Sequence, residues 1–187
     1  MSRHLARRLP RPGDAAQRWL AFLRNHREAI AALDFFTVPT ITFRLLYCLF
    51  VIDHSRRRIL HFNATGRPTS AWVVQQLGAE VVSFLHSSSR KEVRISVRGP
   101  WQNGVAERWV GSARRDCLDQ VIALDEAHLR RLAREYMAYY HADRTHDGLG
   151  KDTPSHRAVE PKPVGAELVS LARVGGLHHR YAWKPAA

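Results

Sequence analysis

Two cysteines in 187 residues are too few for a disulfide framework. Cys48 and Cys117 also lack metal-ligand spacing, so no zinc site follows, and both read as small buried hydrophobes in a reduced cytosol. Long apolar runs are missing too. The longest, Leu45–Ile52, is far below a membrane span, and the opening MSRHLARRLPRPG is basic without the apolar stretch of a leader. The expectation is a cytoplasmic protein that neither enters a membrane nor is exported. No internal repeat is present, which excludes a repeat array. Acid is scarce: 17 Asp and Glu stand against 29 Lys and Arg, a net charge of +12. That excess implies a polyanionic partner, with nucleic acid first because Arg pairs bidentately with phosphate, against the plainer reading of a soluble basic surface.

What is present suits one ordinary domain, since 45% hydrophobic content over this length supports a real core. Residues 1–13 carry Arg3, Arg7, Arg8 and Arg11 between prolines and read as a flexible basic arm. Residues 14–30 follow helical spacing through Trp19, Leu23 and Ile30. Ala32–Val38, Phe43–Ile52 and Arg57–Asn63 are rich in aromatic and β-branched residues and are broken by turn signals, which predicts a three-strand meander. Pro68–Thr69 opens a helix, TSAWVVQQL, that ends before Gly78. GAEVVSFLHSSSRKE then has no sustained period, whereas KEVRISVR alternates as a half-buried strand would. Trp101–Gln120 has helical spacing. Asp125 is a candidate N-cap for a last helix, with Leu124 and Leu129 spaced for a hydrophobic staple, and residues 146–187 read as an extended C-terminal tail.

The order strand, strand, strand, helix, strand, helix is that of an RNase H-like α/β core, a mixed sheet flanked by helices. ALDFFTVPT, VIDHSRRRILHFNATGRPTSAWVVQQL, PWQNGVAERWVGSARRDCLDQVI and YYHADRTHDGLGKDTP resemble, in order, successive blocks of the integrase catalytic domain of bacterial insertion-sequence transposases. The family is that of DDE transposases and retroviral-type integrases, and the resemblance covers residues 16–77 and 98–180. VGGLHHRY resembles the closing segment of one subset, so a native C-terminus is expected. The resemblance implies DNA integration and transposition by phosphoryl transfer with Mg²⁺ or Mn²⁺, acting on transposon ends and target DNA. It leaves room for a homo-oligomer and for a separate subunit that recognises DNA ends.

By the same resemblance the first catalytic and metal-binding acid maps onto Asp34, and the last, in a W-Q-N-x-x-x-E block, onto Glu107. Carboxylates suit such a site because two hard cations clamp the attacking and leaving oxygens of an in-line transfer. Taken alone, Asp34 reads better as a turn or cap acid and Glu107 as a solvated helix residue; the surrounding blocks reverse that. The middle Asp has no counterpart. The family spacing of roughly 35 residues before the Glu falls on Trp72, inside the expected helix. Between the two acids lie only Asp53, at the family's turn after the second strand, and Glu80 and Glu92, in a segment without family pattern. An internal deletion with a shifted frame near 78–94 is the expectation, leaving 31–145 as a core without its middle-acid segment.

Four further residues are expected to meet DNA: Asn103, Arg108, Arg114 and Arg115. Arg114 lies seven positions after Glu107, two turns on, so both project from one helix face. Asn103 would shape the loop over the site, and Trp101 reads equally as a core residue. Tyr139, Tyr140, Arg144 and His146 resemble a Y-x-x-x-R-P-H block with Thr145 in place of proline, and read as packing and helix-end contacts. His178 and His179 are too isolated for a metal site and read as part of a solvated tail.

Overall fold

Three runs of aromatic and β-branched residues pair as an antiparallel meander in the computed structural model, which describes residues 31–76 and 103–185 together with positions 17, 21, 22, 25 and 78. β1 (Ala31–Pro39), β2 (Leu45–Asp53) and β3 (Ile59–Thr65) lie in that order, with Asp34 opposite Phe50 and Phe36 opposite Cys48. A register shift at Val51/Ile52 bulges the β2–β3 ladder. β2 is central and covered on both faces, which explains its unbroken apolar run; Leu49, Phe50 and Ile52 are all fully buried. The arm, the alternating strand expected within 91–98, Trp101 and all but Gly78 of the 78–94 segment lie outside the described residues. The four described positions of the expected leading helix are helical.

The short helix α1 (Ser70–Gln76) starts where expected, because Thr69 Oγ1 accepts the Trp72 N–H at 3.1 Å. Gln76 Oε1 accepts from Asn63 Nδ2 at 2.6 Å and docks the helix on β3. α2 (Gly104–Ala113) continues into a π-helical turn over Arg114–Leu118, in which the Asp119 N–H reaches the Arg114 carbonyl five residues back. α3 (Glu126–Ala142) begins at Asp125, whose Oδ1 accepts the His128 N–H at 2.7 Å. The expected staple gives way to another contact: Leu124 stays 53% exposed, and its N–H goes to His128 Nδ1 at 3.2 Å.

Trp109 anchors α2. Its ring lies 4.3 Å from Phe50 and within 6.3 Å of Phe36 and Phe62, and the small Ala106 and Ala113 let the helix approach the sheet. Leu129, Ala133, Tyr136 and Tyr140 form the buried stripe of α3. Arg130 ties that helix to β3 through Asn63 Oδ1 at 2.9 Å and the Ala64 carbonyl at 2.6 Å.

The segment expected as an extended tail contains a hairpin, β4 (Ala166–Arg173) and β5 (His178–Pro185). Val174, Gly175 and Gly176 turn the chain with positive φ, which the glycines adopt at no steric cost. The hairpin is fastened to the end of α3: Asp143, 9% exposed, accepts from Arg173 Nε at 2.8 Å and Arg180 Nη1 at 3.3 Å. His178 also departs from the solvated-tail expectation, since it stacks on Tyr139 at 4.4 Å and its Nε2 lies 2.7 Å from the Asp116 carbonyl.

Candidate active site and basic cavity

Strand alternation places Ala32, Asp34, Phe36 and Val38 on one face of β1, the face that packs towards α2. A carboxylate in such a row needs a polar partner. Asp34 has two: its Oδ1 accepts the Phe35 N–H at 2.8 Å, and its Oδ2 accepts from Asn103 Nδ2 at 2.9 Å. Asn103 occupies the N-cap position of α2 but makes no side-chain cap, because its amide is turned to the strand instead. Its Oδ1 is buried without a hydrogen-bond partner among the described residues.

Glu107 follows one turn later on the same face, in the first turn of α2, where a negative charge is favoured by the helix dipole. It is exposed and forms no ion pair among the described residues. Arg114 closes that face: its Nη2 donates to the Thr37 carbonyl at 2.9 Å and its guanidinium lies 5.9 Å from the Phe36 ring centre. Asn103 and Arg114 therefore both grip β1, and Glu107 lies between them on one helical stripe.

Around the helix from that stripe opens a cavity of about 400 Å³, lined by Glu107 together with Arg57, Arg108, Arg115, Arg144 and His146. Arg144 Nε is paired with Asp116 Oδ2 at 2.9 Å, and Tyr136 Oη donates to the same oxygen at 3.1 Å. Burial, reinforced by Arg144 and Arg57, holds the His146 ring down to about 4, while the Tyr140 carbonyl and Asp116 pull weakly the other way. Burial likewise pushes Tyr140 up to about 12. Cys48 and Cys117, pushed up to about 12 and 11 by burial, behave as the inert hydrophobes their setting implies.

The expected residues thus divide. Asp34 and Asn103 are joined directly, Glu107 lines the cavity with Arg108 and Arg115, and Arg114 is docked on β1. Asp53 accepts from Ser55 Oγ and closes the β2–β3 turn, and Trp72 sits half-buried in α1. Asp116 and Arg57 carry no sequence signal of their own, because their roles depend on partners distant in the chain. Asp34, Glu107 and Asn103 carry oxygen donors of the type a hard cation such as Mg²⁺ takes, but among the described residues no hydrogen bond brings Glu107 to the Asn103–Asp34 pair. They do not make the three-acid set of a two-ion clamp, and among the described residues no three His, Cys, Asp or Glu side chains gather.

No helix among the described residues is long and apolar enough to cross a membrane. No curated protein and no solved structure matches the chain significantly. A family does: the integrase core domain matches residues 90–154, about a third of the chain. That span holds Asn103, Glu107, the arginines of α2, Arg144 and His146, while Asp34 lies before it. Over this segment, and over no more of the chain, the sequence is similar to the integrase core domain, the catalytic domain of DDE transposases and integrases.

Proposed function

We propose that the chain is a DNA-binding transposase or integrase catalytic-domain protein with an RNase H-like core, of the class that integrates and transposes DNA by metal-dependent phosphoryl transfer. The observation that carries this reading is the Asn103–Asp34 hydrogen bond, which couples the start of the Glu107 helix to the one acid on β1. In this reading Asp34 and Glu107 hold a Mg²⁺ or Mn²⁺ ion, Asn103 fixes the orientation of Asp34, and Arg108 and Arg115 meet DNA phosphate with Arg114 behind them. Such an ion, when bound, polarises a phosphoryl oxygen and lowers the pKa of coordinated water. The catalytic unit is residues 31–145, with 1–13 as an arm, 14–30 as a leading helix and 146–187 as a C-terminal extension. The place of action is the bacterial cytoplasm, at the nucleoid, with transposon ends and target as substrates, in a homo-oligomer or beside a subunit that recognises DNA ends.

A second reading is favoured by one observation. Trp72, in α1, stands where family spacing puts the middle Asp. For the chain itself an acid set of two favours this reading over the active enzyme: a DNA-binding remnant of such a transposase, without strand-transfer activity, or a non-functional product of a decayed element. A joining assay on labelled transposon-type duplexes with Mg²⁺ or Mn²⁺, run beside DNA-binding titrations, separates the readings. Binding with joining supports the enzyme, binding without joining supports the remnant, and no binding refutes both.

A further inference from the structure

We infer that the cavity between α2, the β2–β3 turn and the segment after α3 is a receptor for a phosphate group. Four guanidiniums, from Arg57, Arg108, Arg115 and Arg144, surround it against the single carboxylate of Glu107. Only Arg144 has a carboxylate partner among the described residues; Arg57, Arg108 and Arg115 have none. Unneutralised like charges around one concavity repel each other, and an anion relieves that repulsion. Guanidinium forks fit phosphate oxygens bidentately, and the volume is in the range of ligand sites.

The backbone and a close packing contact hold Arg57 in place. Arg57 sits at φ 59, a left-handed backbone unusual for a residue other than glycine. Its guanidinium lies against Gly148, where any Cβ would collide with it. That backbone belongs to the turn between β2 and β3, which carries Arg57 at the cavity wall. Arg144 Nη1 lies 3.4 Å from His146 Nδ1, so the ring and the guanidinium stand side by side in the cavity wall. His146 Nε2 and the Trp109 Nε1–H, both in residues lining the cavity, are buried without hydrogen-bond partners among the described residues. The indole N–H makes the surroundings more electropositive.

Free phosphate and a DNA phosphodiester offer the same chemistry. The DNA source rests on the function proposed above, whereas the phosphate chemistry rests on the arginines alone. The test uses the full chain, Arg57→Gln, Arg115→Gln and the charge-matched control Arg134→Gln, an exposed position outside the cavity. Thermal unfolding is followed in sodium phosphate and in sodium chloride of equal ionic strength. Well above its dissociation constant, phosphate should raise the midpoint of the unmodified chain and of Arg134→Gln by about 3–6 °C more than chloride. Both cavity variants should lose at least half of that difference. Fluorescence anisotropy with a short duplex identifies the source. A loss of about tenfold in affinity for Arg57→Gln and Arg115→Gln, but not for Arg134→Gln, assigns a DNA phosphate. Equal small losses in all three, with the loss of the phosphate effect still confined to the cavity variants, assign a free anion. Absent DNA binding with an intact phosphate effect removes the DNA function and leaves the receptor standing. A phosphate effect of equal size in all four proteins overturns the receptor, even where DNA binding persists.

Discussion

Asn103 Nδ2 donates to Asp34 Oδ2 across 2.9 Å, joining the first residue before α2 to the only acid on β1. The bond replaces the helix cap that asparagine at this position usually supplies, so a local stabilisation is given up for a tertiary one.

Asn103→Ala should therefore lower stability by about 1–2 kcal/mol, the worth of a hydrogen bond to a charged acceptor in a half-buried place. Asn103→Asp should cost at least as much at pH 7, because two carboxylates then face each other, and should recover as the pH falls through the carboxylate range. Urea unfolding at pH 7 and pH 4 tests both. An Asn103→Asp variant as stable as the unmodified chain at pH 7 would remove the contact from the account.

Trp109→Ala should cost about 3–5 kcal/mol, since it empties the space between Phe36, Phe50 and Phe62 and frees α2 from the sheet. Phe43→Ala, at a position 90% exposed, should stay within about 0.5 kcal/mol. Comparable losses at the two sites would contradict the packing described here.

Stability should fall as the solution is acidified below neutrality. His141 Nε2 accepts the Ile59 N–H at 2.9 Å, and burial with help from Arg58 holds that ring down to about 4, as burial, Arg144 and Arg57 do for His146. In the unfolded chain both rings titrate near 6.5. Between about pH 6.5 and 4 the unfolded state takes up protons that the folded state refuses, so stability drops by at most about 1.4 kcal/mol per pH unit for each ring. Denaturant midpoints at pH 7.5, 6 and 5 should show the decline. His141→Gln, which keeps an acceptor for Ile59, should flatten it, and an unchanged slope in that variant would exclude His141 as a source.

Binding to duplex DNA should weaken steeply with salt and show little sequence preference, with a log–log slope of about −0.9 per phosphate neutralised. Of the arginines on α2 and its π-helical turn, Arg108 and Arg115 are exposed, whereas Arg114 is engaged with the sheet. Arg108→Gln with Arg115→Gln should thus reduce the slope by up to about two. A flat salt dependence in the unmodified chain would rule out the electrostatic interface.

The Thr69 and Asp125 helix starts and the apolar stripe of α3 were legible in the sequence because each follows from residues a few positions apart, and the meander because its strands are consecutive and separated by short turn signals. The hairpin was not. Its glycines read as loop composition, and its fastening to Asp143 comes from arginines 30 and 37 residues later in the chain. The site divides in the same way. Asp34 and Glu107 stood out through the blocks around them, but the bond from Asn103 spans 69 residues and has no periodic signal. The cavity is less legible still, since Arg57 and Arg144 approach one another only once β2, β3 and α3 are packed.

The most direct test incubates the unmodified chain, Asp34→Ala and Glu107→Ala with labelled transposon-end and target duplexes in Mg²⁺ and in Mn²⁺, and measures DNA binding and strand joining in the same samples. Two carboxylates cannot fix the separation of two ions for in-line attack. The expected result is that the unmodified chain binds DNA without joining it, and that Glu107→Ala binds equally well or slightly better after losing a negative charge beside Arg108 and Arg115. Metal-dependent joining by the unmodified chain, abolished in Asp34→Ala or Glu107→Ala, would contradict the two-acid account and send the search for a third ligand to Asp53, Glu80 and Glu92.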